Sequence, residues 1–229
     1  MSAAARSTEG DPLIAVPVIA LLGGECSGKT TLTHAVANTL RQQGWTVQVV
    51  DEVLRDWVNT HGRPPQAHEQ ADMAHAQAAC IHSACLQPGI HWVLADTTPL
   101  VTATYSELYF GDNSLWSWAL DWQRCCAQTW LMGCDLPWQA DGAQRDGPQW
   151  RARADALLRQ RLQAAGLHYR VFHGSTEQRL AQALRALASL GAHTTDAPHL
   201  TEGRVPWHCD SCSDPDCEHR LFGRLLARR

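Results

Sequence analysis

The sequence predicts a three-layer α/β/α sandwich around a five-stranded parallel sheet. Three observations predict it. Five short apolar runs alternate with helical stretches along the chain. The first run is almost continuously apolar, as a strand covered on both faces must be. A glycine-rich loop joins that run to the first helix. The composition agrees: 45% of the 229 residues are hydrophobic and 18% are charged, an ordinary globular balance in a chain long enough to bury a core.

Residues 1–16 read as a disordered lead. The apolar run Leu13 to Leu22 (LIAVPVIALL) contains Pro17, so the first strand starts near Val18 and ends at Gly23-Gly24. Lys29 to Gln43 reads as a helix closed by Gly44. Trp45 to Val50 is a β-branched strand. Asp51 to Thr60 reads as a helix or turn, ended by the breaker His61-Gly62-Arg63-Pro64-Pro65. Gln66 to Gln87 lacks Pro and Gly and is Ala-rich, a helix stopped by Pro88-Gly89. Ile90 to Ala95 is the third strand, Thr98 to Tyr109 a helix, Leu115 to Cys126 a Trp-rich helix, and Thr129 to Cys134 the fourth strand. Pro137 to Pro148 holds several Gly, Pro and Asp residues and reads as a loop. Gln149 to Ala165 is a helix, His168 to Phe172 the fifth strand, and Thr176 to Leu190 the last helix. The domain therefore spans 17–190, and 191–229 is a Cys- and Arg-rich tail.

The tryptophans 116, 118, 122 and 130 read as core. His68, His75 and His82 share one helical stripe, but seven-residue spacing sets neighbouring rings ~10 Å apart, too far for a shared metal. The stripe reads as a half-exposed face.

Net charge is 19 − 23 = −4, which argues against general nucleic-acid binding. No run approaches ~18 consecutive apolar residues, so no membrane span is expected. The first ten residues do not read as a signal peptide, and a cytoplasmic location is expected. Of nine cysteines, Cys26, Cys80, Cys85, Cys125, Cys126 and Cys134 show no framework spacing. They read as reduced thiols, most of them buried as small hydrophobes. The basic residues are eighteen arginines and one lysine, Lys29.

That lysine lies in Gly23-Gly24-Glu25-Cys26-Ser27-Gly28-Lys29-Thr30, which fits the phosphate-binding pattern G-x-x-x-x-G-K-[ST]. A random match in a chain this long has odds of about 1% at ordinary residue frequencies. The chemistry needs each part. Gly23 and Gly28 permit positive φ and close backbone approach. The loop amides form a nest for phosphate oxygens, and the following helix adds its positive end. Lys29 places a compact charge on the β- and γ-phosphates, and the Thr30 hydroxyl is a ligand for Mg²⁺. Residues 23–31, through Thr31, form the expected ATP site.

The third strand ends Ala95-Asp96-Thr97. An acid there reads as the carboxylate that acts on Mg²⁺ directly or through water; capping of the helix that begins at Thr98 is compatible with it. Asp51 and Glu52 end the second strand, where a carboxylate can accept a proton from an attacking hydroxyl. Either residue serves, and a solvated acid in the first turn of a helix, without a catalytic role, fits the same positions equally well. Arg145, in the loop after the fourth strand, suits a mobile cation over developing charge. Arg151 and Arg153 read as surface arginines.

Taken in order, these stretches resemble the ribosylnicotinamide kinase domain of NadR-type proteins. Gly23 to Leu32 resembles that family's GGESSGKSTL. Glu52 with Arg55-Asp56-Trp57-Val58 resembles its E-x-x-R-[DE]-[YW]-V, and His75-Ala76-Gln77 its HAQ. Leu94 to Thr97 resembles hydrophobic-D-T-D, and Pro137 to Gly142 with Arg145 resembles PW-x-x-DG-x-R. Thr98 stands where the family often has a second acid, and Val53 where it commonly has an aromatic. The resemblance implies a P-loop kinase that uses ATP and Mg²⁺ to phosphorylate the 5′-hydroxyl of nicotinamide riboside. It implies Lys29, Glu52, Asp96 and Arg145 in catalysis, Glu52, Arg55, Trp138 and Asp141 at the nucleoside, and a lid near 137–148. Trp138 suits stacking on a cationic pyridinium. Sixteen residues before the first strand leave no expectation of the family's adenylyltransferase or helix-turn-helix domains. The expected partner is a small nucleoside, with neither nucleic acid nor membrane.

The tail carries Cys209, Cys212, Cys217 and His219 as C-x₂-C-x₄-C-x-H. Four such ligands suit a tetrahedral Zn²⁺ site, and a redox-sensitive dithiol or incidental cysteines fit the same residues. The tail leaves two other readings open: a nucleotide-sensing regulator acting through it, or a kinase for another nucleoside.

Overall fold

The computed structural model of the protein describes residues 16–138 and 147–191. Five strands form one parallel sheet in the order β2-β3-β1-β4-β5. They are β1 (Val18–Leu22), β2 (Val47–Val50), β3 (Trp92–Asp96), β4 (Gln128–Met132) and β5 (Arg170–Phe172). The central β1 pairs Ala20 with Ala95 of β3 on one side and with Thr129 of β4 on the other.

All five residues of β1 are fully buried, because helices cover both faces. Ile19 and Leu21 join Trp130 and Phe172 in a core beneath α1 (Lys29–Gln42) and α7 (Thr176–Ala188), which supply Leu32, Val36, Leu40 and Leu187. Leu22 points the other way, to Leu100, Trp116, Leu158 and Leu162. Those side chains come from α4 (Pro99–Phe110), α5 (Trp116–Gln123) and α6 (Pro148–Ala164). Val18 packs with Ile81 of α3 (Gln70–Cys85). The remaining helix, α2 (Val53–His61), follows β2 directly. Among the described residues no helix is long and apolar enough to cross a membrane.

Several boundaries move for local reasons. Trp45 belongs to the turn after α1, not to β2: its amide bonds Leu40 O at 3.0 Å after Gly44 takes φ 87°. The long third helix opens with a 3-10 turn, Ala67–Glu69, closed by a reciprocal Gln66–Glu69 capping box. Cys134 falls past β4, because the Gly133 amide turns to Phe172 O. Trp116 and Trp130 are buried and Trp118 and Trp122 pack against the core; the four histidines 61, 68, 75 and 82 are exposed.

The cysteine expectation is half corrected. All six described cysteines are free thiols, but none is fully buried. They occupy helix surfaces, helix ends and loops, not the strand interiors that form the core. Cys126 is the deepest, and burial pushes its thiol well above the ordinary range.

Candidate active site

The loop after β1 is built to turn its amides inward. Gly28 takes φ 83°, as the residue that swings the chain into α1. Gly24 has a different reason to lack a side chain, since a Cβ there would sit 3.2 Å from the Arg151 backbone, where α6 presses on the loop. The Ser27 hydroxyl donates to Gly24 O at 2.7 Å and closes the turn from within. No side chain caps α1, so its leading amides are left for an anion. The Lys29 ammonium, 8% exposed, donates to Gly23 O and Gly24 O at 2.9 and 3.0 Å and lies along the loop. Glu25 and Cys26 are half-buried on the loop's outer bend, where Cys26 takes φ 53°, and Thr31 stands exposed on α1.

Two arginines hold this loop from behind. Arg151 donates to Cys26 O, Leu136 O and Cys134 O. Arg179, 1% exposed, donates to Ser27 O, Gly133 O, Gly174 O and the Asp135 carboxylate. Burial pushes the Arg179 guanidinium below its ordinary value, and Asp135 opposes that. These bonds tie down the Cys26 and Ser27 carbonyls of the loop. Arg151 is thus no surface residue, and Arg179 was not foreseen. Their bonds span loops far apart in sequence, and a helical pattern carries no trace of them.

Facing the loop, Asp96 ends β3 with 1% exposure. Its Oδ2 accepts from the Thr30 hydroxyl at 2.5 Å, and its buried Oδ1 has no hydrogen-bond partner. A buried carboxylate whose oxygens are not saturated by hydrogen bonds, beside a hydroxyl, suits a hard cation. No group of three or more His, Cys, Asp or Glu gathers to hold a metal among the described residues. A magnesium ion at Thr30 and Asp96 would draw the rest of its shell from phosphates and water, as that ion ordinarily does. Thr98 does cap α4, with its hydroxyl receiving the Leu100 amide. The cap is therefore Thr98 itself and not Asp96.

Asp51 and Glu52 part company in the structure. Asp51 points outward toward His34, whereas Glu52 pairs with Arg55 of α2 at 3.3 Å. Arg55 reaches on to Thr30 Oγ1 at 2.5 Å and to Asp96 Oδ2 at 3.5 Å. Gln77 of α3 grips both neighbours of Glu52, accepting from the Val53 amide at 2.8 Å and donating to Asp51 O at 3.2 Å. Thr97 takes φ 88°, a strained conformation for a β-branched residue, and its buried hydroxyl is unpartnered.

Beside Glu52 lies a narrow cleft of about 30 Å³. Met73, Val101 and Tyr105 give it apolar walls, and Gln70, Gln77 and Thr97 give it neutral polar ones. Trp138 is half-buried but does not line it. Asp141 and Arg145, both in the expected lid, and Cys209, Cys212, Cys217 and His219 lie outside the described residues.

A parallel sheet with such a loop at its central strand, and an acid at the end of the strand beside it, is the frame of a P-loop nucleotide-binding protein. A family profile described as an AAA domain matches residues 18–179, well over half of the chain, and the chain belongs to that family. No curated protein matches it. Among solved structures it is similar to NadR protein in complex with NR (18% identity, TM-score 0.60), covering 76% of this chain and 51% of that one. It is also similar to NadR protein in complex with NAD and AMP-PNP (16%, TM-score 0.61; 76% and 49% covered). A third is deoxyadenosine kinase from M. mycoides with dCMP and dCDP bound (11%, TM-score 0.51; 75% and 99% covered). At these identities the likeness establishes a shared fold. The chain spans about half the length of the NadR chains.

Proposed function

We propose that the protein is an ATP-dependent nucleoside kinase that transfers the γ-phosphate to the 5′-hydroxyl of nicotinamide riboside, giving nicotinamide mononucleotide. The observation that carries this reading is the cleft. Among the described residues lining it, Glu52 is the one charged side chain, and it stands at the end that meets Thr30 and Asp96 through Arg55. Apolar and amide walls around Tyr105 suit a flat ring, and a carboxylate at the mouth suits a cationic one. The likeness to NadR bound to NR supports the same choice.

In this reading the loop amides and Lys29 hold the β- and γ-phosphates. Glu52 accepts the acceptor hydroxyl's proton, and Arg55 orients Glu52. Thr30 and Asp96 would hold magnesium, which supplies charge neutralisation on the phosphate oxygens. Phosphoryl transfer depends mainly on such positioning and charge. Trp138, Asp141 and Arg145 would close over the nucleoside from the lid.

The test is incubation with Mg-ATP and a nucleoside panel that includes nicotinamide riboside, with products identified by mass spectrometry. Nicotinamide mononucleotide is expected from the wild type, and a loss of at least about 100-fold in Lys29→Ala. A different phosphorylated nucleoside would keep the kinase and replace the acceptor. ATP binding without any phosphorylated product would sink the kinase reading.

A further inference from the structure

We infer that Arg55 is the resident cation of the divalent-metal pocket, and that a metal ion enters only by displacing it. The inference rests on Thr30 and Asp96 being the metal end of a nucleotide site. Arg55 Nη2 lies 2.5 Å from Thr30 Oγ1 and 3.5 Å from Asp96 Oδ2, the two oxygens that a divalent ion would take. Magnesium binds oxygen at about 2.0–2.1 Å. An ion at that distance from both oxygens would share their immediate surroundings with Nη2. Two like charges in such contact repel strongly beside a buried carboxylate. Ion and guanidinium are therefore alternatives.

The pocket has reason to keep a cation at all times. Asp96 is almost wholly buried, and a carboxylate withdrawn from water needs a counter-charge. Arg55 supplies it at Oδ2 and leaves Oδ1 without a partner. The arginine is also placed to leave. Its side chain is 50% exposed, and it sits in the first turn of α2. Its Nε contact with Glu52 keeps it at the cleft mouth when the other end lets go. Arrival of the metal would thus move a positive charge from the phosphate loop toward the acceptor cleft.

The experiment measures AMP-PNP affinity by calorimetry across a Mg²⁺ series for the wild type, Arg55→Gln and Arg55→Lys. Removing the competitor should lower the Mg²⁺ concentration for half-maximal affinity about threefold or more in Arg55→Gln. Arg55→Lys, which keeps a cation, should stay near the wild type. An unchanged or higher Mg²⁺ requirement in Arg55→Gln overturns the inference while leaving the nucleotide site intact. Absence of AMP-PNP binding by the wild type would overturn the nucleotide reading and this inference with it. No turnover is measured, so the identity of the acceptor does not enter. Melting curves of the three proteins confirm folding, as expected for a half-exposed side chain.

Discussion

At the scale of single residues, the site depends on neutral side chains that steer charged ones. Gln77 is the clearest case. Its amide spends both ends on the backbone either side of Glu52, so the carboxylate's position is set from α3 and not from α2 alone. Gln77→Leu keeps the volume and removes both bonds. Because small misplacements of a reacting group are costly, kcat with the nucleoside should fall roughly ten- to a hundredfold. ATP KM should hold steady, since no bond from Gln77 reaches the phosphate loop. Steady-state kinetics with each substrate varied separately decides the matter. Equal losses on both sides would assign Gln77 to the fold at large. Gln77 was visible in the sequence only as part of a resemblance. Nothing in its spacing says that it bonds to residues 24 and 26 positions away.

Among elements, the entry to α3 builds one wall of the cleft through Pro65 and Gln70, and a compact ion pair holds it. Both guanidinium nitrogens of Arg63 reach Glu69, at 2.6 and 2.8 Å, and the Gln66 amide adds a third bond at 2.7 Å. Arg63 first, and the Gln66 amide second, hold the Glu69 carboxyl down at about 2 against an ordinary 4.5. A carboxyl depressed on folding adds stability above its unfolded value, and that stability is lost as pH falls through the folded one. The urea midpoint of wild type should therefore exceed that of Glu69→Gln by a constant margin above about pH 5. The margin should shrink as pH approaches 2. A margin that stays flat down to pH 2 would remove the ion pair from the account. The element itself was legible as a helix from its Ala-rich, breaker-free run. Its 3-10 opening was not, because the capping box uses Gln where Ser or Thr is the usual signal.

The whole molecule gathers loops from the ends of β1, β3, β4 and β5 at one end of the sheet. The strands were legible because burial on both faces leaves continuous apolar runs, and the phosphate loop because its backbone geometry demands glycine. The clamp was not: Arg179 reaches Ser27 across 152 positions, and Arg151 reaches Cys26 across 125. These two side chains tie the phosphate loop to the segments after β4 and β5, so nucleotide binding should stiffen the whole domain. A ligand at 100 times its Kd stabilises the folded state by about 2.7 kcal/mol. For a chain of this size each kcal/mol is worth roughly 2–4 °C. Saturating Mg-ATP without any acceptor should then raise Tm by about 5–10 °C. Lys29→Ala should lose most of that gain, while its own ligand-free Tm stays close to the wild type's, because Lys29 bonds the loop and not the core. Differential scanning fluorimetry with and without Mg-ATP reads both quantities. A wild-type Tm indifferent to Mg-ATP would mean that the loop, however well formed, does not hold a nucleotide.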